Sequence, residues 1–413
     1  METSLLTQRL DRLRSSPSRV AVAPAPRIDH ASALADALGA RLVRGVVVFD
    51  YEVPLPVDRA ALAALPYSVA PDQSLFCLDL ETTGLATASG TLAFLVGIGW
   101  WESGRLHVRQ LLLADHADET ALLDLLTEEI PPDAWLVTYN GKCFDWPLMV
   151  ARYRVHRRAP PPTSGHLDLL PIARQLWKHR LGSARLAAVE AAVCGVERSH
   201  DLPGAFIPDR YFSYLRSRRP DLLRDVVDHN RQDIVSLGLL VATLCGLSSS
   251  RSWQDVLPGD LLGLACAYAR HGRAEKALEC VDAALRPEAW QVRQPATAAL
   301  HRHLSAERAR LLARLGRRDE AIAAWVEIAE RGGPGAAVAW LHLARHREHV
   351  ERDVAGALAA CHEAAAVAGR ARAWGDPMLA IERDLERRLP RLTRKVFAGR
   401  YERRIERGAR AAA

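Results

Sequence analysis

Paired cysteines are missing from this sequence. Its seven cysteines are odd in number and scattered, with no CxxC pair. That argues against a disulfide frame or a zinc knuckle and for reduced thiols in a cytoplasm. Long apolar runs are missing too. None reaches the ~18 residues of a membrane-spanning helix, and the longest candidate, Leu92 to Trp101, is strand-sized. The amino terminus, METSLLTQRLDRLRSS, has no apolar signal core and carries charges throughout, so it reads as a short amphipathic helix and not as an export signal. Apolar residues are nonetheless plentiful. They make up 49% of 413 residues, with 25% charged, a globular mixture that excludes wholesale disorder. At ~100–200 residues per domain the length implies two or three units.

The net charge of +6 is unevenly placed. Residues 370–413 hold 13 Lys and Arg against 6 Asp and Glu, so the rest of the chain is near −1. A basic tail of this kind suits polyanions such as nucleic acid. A solvated, Arg-rich helical end is the plainer reading.

Three segments follow from the pattern. Residues 1–73 form an N-terminal extension. It has a first helix, a Pro-rich stretch from Ser16 to Pro26, a helix over Ala31 to Leu38, a strand over Ala40 to Phe49, and a connector broken by Pro54, Pro56, Pro66 and Pro71. Residues 74–247 alternate strand and helix. Ser74–Glu81, Leu92–Trp101 and Leu106–Leu113 read as strands, with Ser103-Gly104 as a hairpin turn. Asp118–Ile130 carries a helical apolar stripe. Ala134–Tyr139 is a strand, Trp146–His156 a helix, and His166–Leu170 a strand-like run before another helix. A three-strand meander followed by alternating helix and strand implies an α/β fold, a mixed sheet covered by helices.

From residue 254 to 413 strand character is lost. Tyr268–Leu285 matches Leu312–Ala329, with Gly272 corresponding to Gly316 and Ala277 to Ala321, and a degenerate copy spans Ala339–Ala360. Each copy reads helix, Gly-containing turn, helix. This resembles tetratricopeptide repeats, although the spacing is 44 residues and not ~34. A plain helical bundle is the other reading.

Chemistry concentrates in the middle segment. In SLFCLDLETTGL, strand alternation points Phe76, Leu78 and Leu80 one way and Cys77, Asp79 and Glu81 the other. Two carboxylates on one face of a buried strand repel each other, and burial would cost several kcal/mol each. A divalent cation removes that cost, because hard cations take carboxylate oxygens. WLVTYNGKCFDWPLMVAR adds Asp145 just beyond a strand and a turn at Asn140-Gly141, where it also suits a helix N-cap. In DVVDHNRQDIVSL, His229 and Asp233 are four apart and share a helix face. An imidazole there can orient or deprotonate a water. Four carboxylates in this order could hold two ions ~3.5–4 Å apart, as in-line phosphodiester displacement uses.

With these residues in view, the segment resembles the DEDD 3′–5′ exonucleases of the ribonuclease H-like fold, and within them the bacterial YprB-like branch of nucleases. LDLETTGL looks like the first motif, YNGKCFDWPLMVAR the second and HNRQDIVSL the third. The resemblance covers 74–247. It implies a metal-dependent 3′–5′ exonuclease acting on single-stranded DNA or RNA with two Mg²⁺ or Mn²⁺ ions. It implies Asp79, Glu81, Asp145 and Asp233 as metal ligands and His229 as the water-orienting base. Substrate contacts are implied from Thr82, Thr83, Leu85 and Asn140. One departure stands out. The family's tyrosine subgroup has Tyr four residues before the last Asp and its histidine subgroup has His five before it, whereas here a His occupies the tyrosine spacing.

Weaker signals surround these. Asp168 and His166 suit an accessory pair or a structural role, and Lys142 a phosphate contact. Arg185, Arg198 and Arg210 are candidates for a nucleic-acid groove, and the tryptophans are read as core. The partners implied are nucleic acid and a protein docked on the helical region, with no membrane. The competing functional readings are a non-catalytic nucleic-acid-binding module and an endonuclease on the same fold.

Overall fold

The computed structural model describes residues 30–412 except 68, 71, 85–89, 199–201, 249 and 291–296. The amino-terminal helix and Pro-rich stretch, and Leu85, lie outside the described residues.

Helix α1 (His30–Leu38) leads into β1 (Arg41–Val43) and β2 (Val46–Pro54). The apolar run Ala40 to Phe49 is therefore not one strand. It turns at Arg44 and Gly45, with φ of 52° and 85°, and two left-handed residues in succession make the tight turn whose twist suits a hairpin. Helix α2 (Arg59–Ala64) starts from Asp58, whose carboxylate accepts from the Ala61 N–H at 2.9 Å. Strands β3 (Ser74–Thr82), β4 (Ala93–Glu102) and β5 (Arg105–Leu113) form the meander. Next come α3 (Glu119–Glu129), β6 (Ala134–Thr138), α4 (Asp145–Val155), β7 (Gly165–Asp168) and α5 (Leu169–Trp177).

The seven strands make one sheet in the order β1-β2-β5-β4-β3-β6-β7. Strands β6 and β7 run parallel to β3, and the remaining pairs are antiparallel. Strand β2 pairs with β5 from Val46–Leu113 to Pro54–Arg105, so the sheet takes two strands from a stretch that reads in sequence as a leader. Without them β5 would present a long, largely apolar open edge, the kind that pairs with other chains.

Helices α6 (Leu186–Val189), α7 (Ile207–Ser217) and α8 (Asp221–Gly246) complete the middle segment. Strand alternation divides the core as the sequence implies. Phe76, Leu78 and Leu80 pack with α3, α4, α7 and the first half of α8. Cys77 and Val137 pack on the other face with α5 and the second half of α8.

The remainder is helical: α9 (Pro258–Arg270), α10 (Ala274–Ala284), α11 (Thr297–Arg314), α12 (Arg318–Arg331), α13 (Pro334–His349), α14 (Val354–Ala373) and α15 (Leu379–Ala412). The matched segments are helical hairpins. Gly272 and Gly316 follow α9 and α11 with φ of 77° and 79°, the left-handed conformation that glycine enters without a Cβ penalty. No described helix is long and apolar enough to cross a membrane.

Part of the basic tail is neutralised internally. Glu348 of α13, its side chain 2% exposed, receives Arg391 at 2.6 Å and Lys395 at 2.9 Å, with Arg388 at 3.8 Å. The Arg391 hydrogen bond first, then Lys395, holds its carboxyl down at about 2 despite burial. A depressed acid stabilises the fold above its unfolded value of ~4.3 and loses that contribution as pH falls from there towards about 2. Glu348→Gln should therefore cost about 1–3 kcal/mol at pH 7, the range for hydrogen bonds to charged groups. Thermal melts followed by circular dichroism should show the gap between variant and wild type shrinking at pH 3. A gap that is unchanged at pH 3 would mean that the charge of Glu348 is not what holds α15.

Candidate metal centre

Strand β3 places the first two acids. Its alternation directs Asp79 and Glu81 to the face that α8 crosses. Helix α8 comes close there because β4 offers glycine opposite it. A Cβ on Gly97, the partner of Asp79 across the sheet, would sit 2.4 Å from Asn230 Oδ1, and one on Gly99 would sit 2.8 Å from Ile234 Cγ2. The gap lets Asn230, 0% exposed, donate from Nδ2 to Asp79 Oδ2 at 2.9 Å. Gln110 fixes the Asn230 amide in turn, donating to its Oδ1 at 2.8 Å and to the Val227 carbonyl at 2.8 Å.

Helical spacing brings His229 and Asp233 to the same place. His229 Nε2 lies 3.5 Å from Asp233 Oδ2 and 3.8 Å from Glu81 Oε1. Glu81, His229 and Asp233 each offer a ligand atom, and these atoms all lie within 4.8 Å of one another. The four-residue spacing thus reaches both acids, because one helical turn spans it.

Asp145 approaches from α4. It is the first residue of that helix, with Phe144 at the cap position, so the N-cap expected at Asp145 lies one residue earlier. Burial pushes its carboxyl up to about 7, helped by the charges of Asp168 and Asp233 and opposed by its own backbone N–H. Burial also raises the carboxyl of Asp79 well above the usual range, followed by the charges of Asp233, Glu81 and Asp145, with Asn230 opposing. Asp79 thus feels the charges of Asp233, Glu81 and Asp145, and Asp145 that of Asp233, while the atoms close enough to share one ion are those of Glu81, His229 and Asp233.

Asp233 is treated differently. Burial raises its carboxyl, but His229 and Arg198 pull it back. Arg198 donates to Asp233 Oδ1 at 2.5 Å and holds Glu190, 0% exposed, through Nε at 2.5 Å and a second nitrogen at 3.0 Å. Ser236 also donates to Glu190. Arg198, read in sequence as a groove candidate, therefore turns inward with 9% of its side chain exposed. Asp233 is left with Oδ2 facing His229 and Glu81.

The remaining candidates have local roles. Asp168, 7% exposed, caps α5 through the Leu170 N–H at 3.1 Å and receives the N–H of Asn140 at 2.7 Å and of Lys142 at 3.2 Å. It clamps the turn that presents Asp145, in which Asn140 has a φ of 71°. His166 contacts the Thr138 hydroxyl at 2.7 Å, and burial lowers its imidazole to about 4. Thr82 donates to the Gly84 carbonyl at 2.8 Å, and Thr83 Oγ1 accepts from the Leu92 N–H at 3.0 Å. Both hydroxyls bond backbone groups next to the end of β3 or the start of β4.

Sequence reasoning passed over Asn230, Gln110, Glu190 and Gly97. Two of them left a trace. Glycine inside the apolar run FLVGIGW marks a close backbone approach, and Gln110 is a polar residue breaking an apolar strand.

The acids and imidazole are a hard donor set, and the guanidinium against them, Arg198, is shared between Asp233 and Glu190, so the residues present fit a divalent cation. The chain is 35% identical over 211 residues to the Bacillus subtilis (strain 168) protein YprB, an alignment that covers 51% of each chain, so it spans about half the length of that relative. A family model described as RNase_H superfamily matches residues 76–245, the stretch from β3 to α8 that carries all four acids. With its mixed sheet and flanking helices, this stretch is similar to the RNase_H superfamily in sequence and RNase H-like in fold.

Proposed function

We propose that the chain is a metal-dependent 3′–5′ exonuclease that hydrolyses phosphodiester bonds of single-stranded DNA or RNA. The superfamily match points to a nucleic-acid-processing nuclease. The observation that supports the finer reading is the place of His229 between Glu81 and Asp233, with Asp79 under the charges of Asp233, Glu81 and Asp145.

In this reading the four carboxylates hold two Mg²⁺ or Mn²⁺ ions. When bound, the ions supply Lewis acidity to the scissile phosphate and charge compensation to the leaving oxygen. His229 orients the attacking water and takes its proton, a role its place between Glu81 and Asp233 suits. Asn230 and Gln110 keep Asp79 in one rotamer, and Arg198 does the same for Asp233. Asp168 holds the turn before Asp145, where Asn140 would meet substrate beside Thr82 and Thr83. The helical region would dock a protein partner.

The test is release of mononucleotides from 3′-labelled single strands of DNA and of RNA, with Mg²⁺ or Mn²⁺ and then with EDTA. Release that depends on the metal is expected. Cleavage of a circular single strand would make the enzyme an endonuclease, and binding without turnover in either metal would leave a non-catalytic module.

A further inference from the structure

Where α5 leaves the candidate site it runs against α9, the first helix of the helical region. The approach is close because α9 presents glycines. A Cβ on Gly263 would meet the Gln175 carbonyl at 2.6 Å and Leu176 Cα at 2.8 Å, and one on Gly259 would meet His179 Nε2 at 2.3 Å. Gln175 Nε2 donates to the Gly263 carbonyl at 3.1 Å. Leu176 and Trp177 of α5 share a core with Leu261, Leu264 and Tyr268 of α9. The two helices are thus fixed to each other.

Above this contact lies a groove of about 410 Å³, lined among others by Arg174, Gln175, His179, Gly263, Arg270 and His303. Its charge is one-sided. Arg174 and Arg270 are exposed, and neither forms an ion pair with a carboxylate among the described residues. The acids near it are already matched. Asp260 pairs with Arg180 at 3.0 Å and His179 at 3.2 Å, and Glu307 pairs with Arg310 at 3.0 Å. The groove lies further along the helix that Asp168 caps. Arg174 stands six residues beyond Asp168, ~9 Å along the helix axis.

We propose that this groove between α5 and α9 carries the phosphodiester backbone of a single strand away from the candidate site, with Arg174 and Arg270 neutralising successive phosphates and the helical region supplying one wall. The inference rests on the nuclease reading for the polarity of the strand, which has one end at the acids and its body over α9. Guanidinium groups suit it, because each takes two phosphate oxygens in a fork and stays charged at every relevant pH. A strand too short to leave the acids would not feel the groove, whereas a longer one would.

The experiment measures the affinity of the full-length chain for fluorescent oligonucleotides of about four and about twenty nucleotides, in EDTA so that nothing is cut. Arg174→Ser with Arg270→Ser is compared with Arg383→Ser with Arg387→Ser, which removes two exposed arginines from α15 instead. The groove pair should weaken binding of the long strand about tenfold at 50 mM salt and reduce the slope of log affinity against log salt by about 1.4. It should leave the short strand near wild type. The α15 pair should change neither. Equal losses in the two double variants, equal losses for both lengths, or no loss overturn the groove. Metal-dependent hydrolysis by the wild type, measured in parallel, tells whether the nuclease reading falls with it.

Discussion

Asp79→Asn will slow metal-dependent hydrolysis of a labelled single strand by about a thousandfold or more and will raise the melting temperature of the metal-free chain. Both effects have one cause. The side chain sits among Glu81, Asp145 and Asp233, and burial together with their charges opposes its ionisation. Asparagine keeps the shape, still accepts from Asn230 and removes one of the repelling charges. Without ions the native state gains. With ions, on the proposed nuclease reading, the variant loses a ligand from a cluster that contributes several kcal/mol to the transition state, and each ~1.4 kcal/mol is tenfold in rate. Melting in EDTA should place the variant a few degrees above wild type. Saturating Mg²⁺ should close or invert the gap, since wild type gains more from binding. A variant melting lower than wild type in EDTA would sink the electrostatic account, and one hydrolysing at the wild-type rate would sink the site.

The second large effect is expected at Arg198, which no sequence motif singles out. Arg198→Met leaves Glu190 with no exposed surface and no guanidinium, beside an Asp233 that has lost the same partner. Removing one side of a buried ion pair costs about 3–5 kcal/mol, most of it from the stranded charge. The double variant Glu190→Gln, Arg198→Met removes that charge as well and should recover a large part of the loss. Urea unfolding of the three proteins checks this. If the double variant is no more stable than Arg198→Met, then Arg198 acts through packing and not through charge.

How much of this was legible in the sequence follows from what each signal depends on. The alternation of Asp79 and Glu81 against Phe76, Leu78 and Leu80 depends on backbone geometry alone, and it survives folding unchanged. The one-turn pairing of His229 with Asp233 is equally local. The hairpin within residues 40–49 was missed because Arg44 carries no turn signal until its φ is known. The contribution of β1 and β2 to the sheet was missed because strand pairing over a gap from Val46 to Leu113 is a long-range event that composition does not encode. In sequence Arg198 reads only as one of three groove candidates, because arginines are usually exposed. Only the burial of Glu190, itself a product of the packing of α8, turns it in.

One apolar cluster begins at Cys77 and Val137 under the sheet, passes through Leu176 and Trp177, and continues without a break through Tyr268, Leu312 and Trp325 to Leu343. The helical region is therefore not a detachable appendage. Cutting the chain in the linker before α9 would strip hydrophobic neighbours from both pieces and leave each with a greasy scar. Heat or urea should melt the sheet and the first helical hairpins together, in a single transition, and fragments expressed separately should clump unless they are reunited.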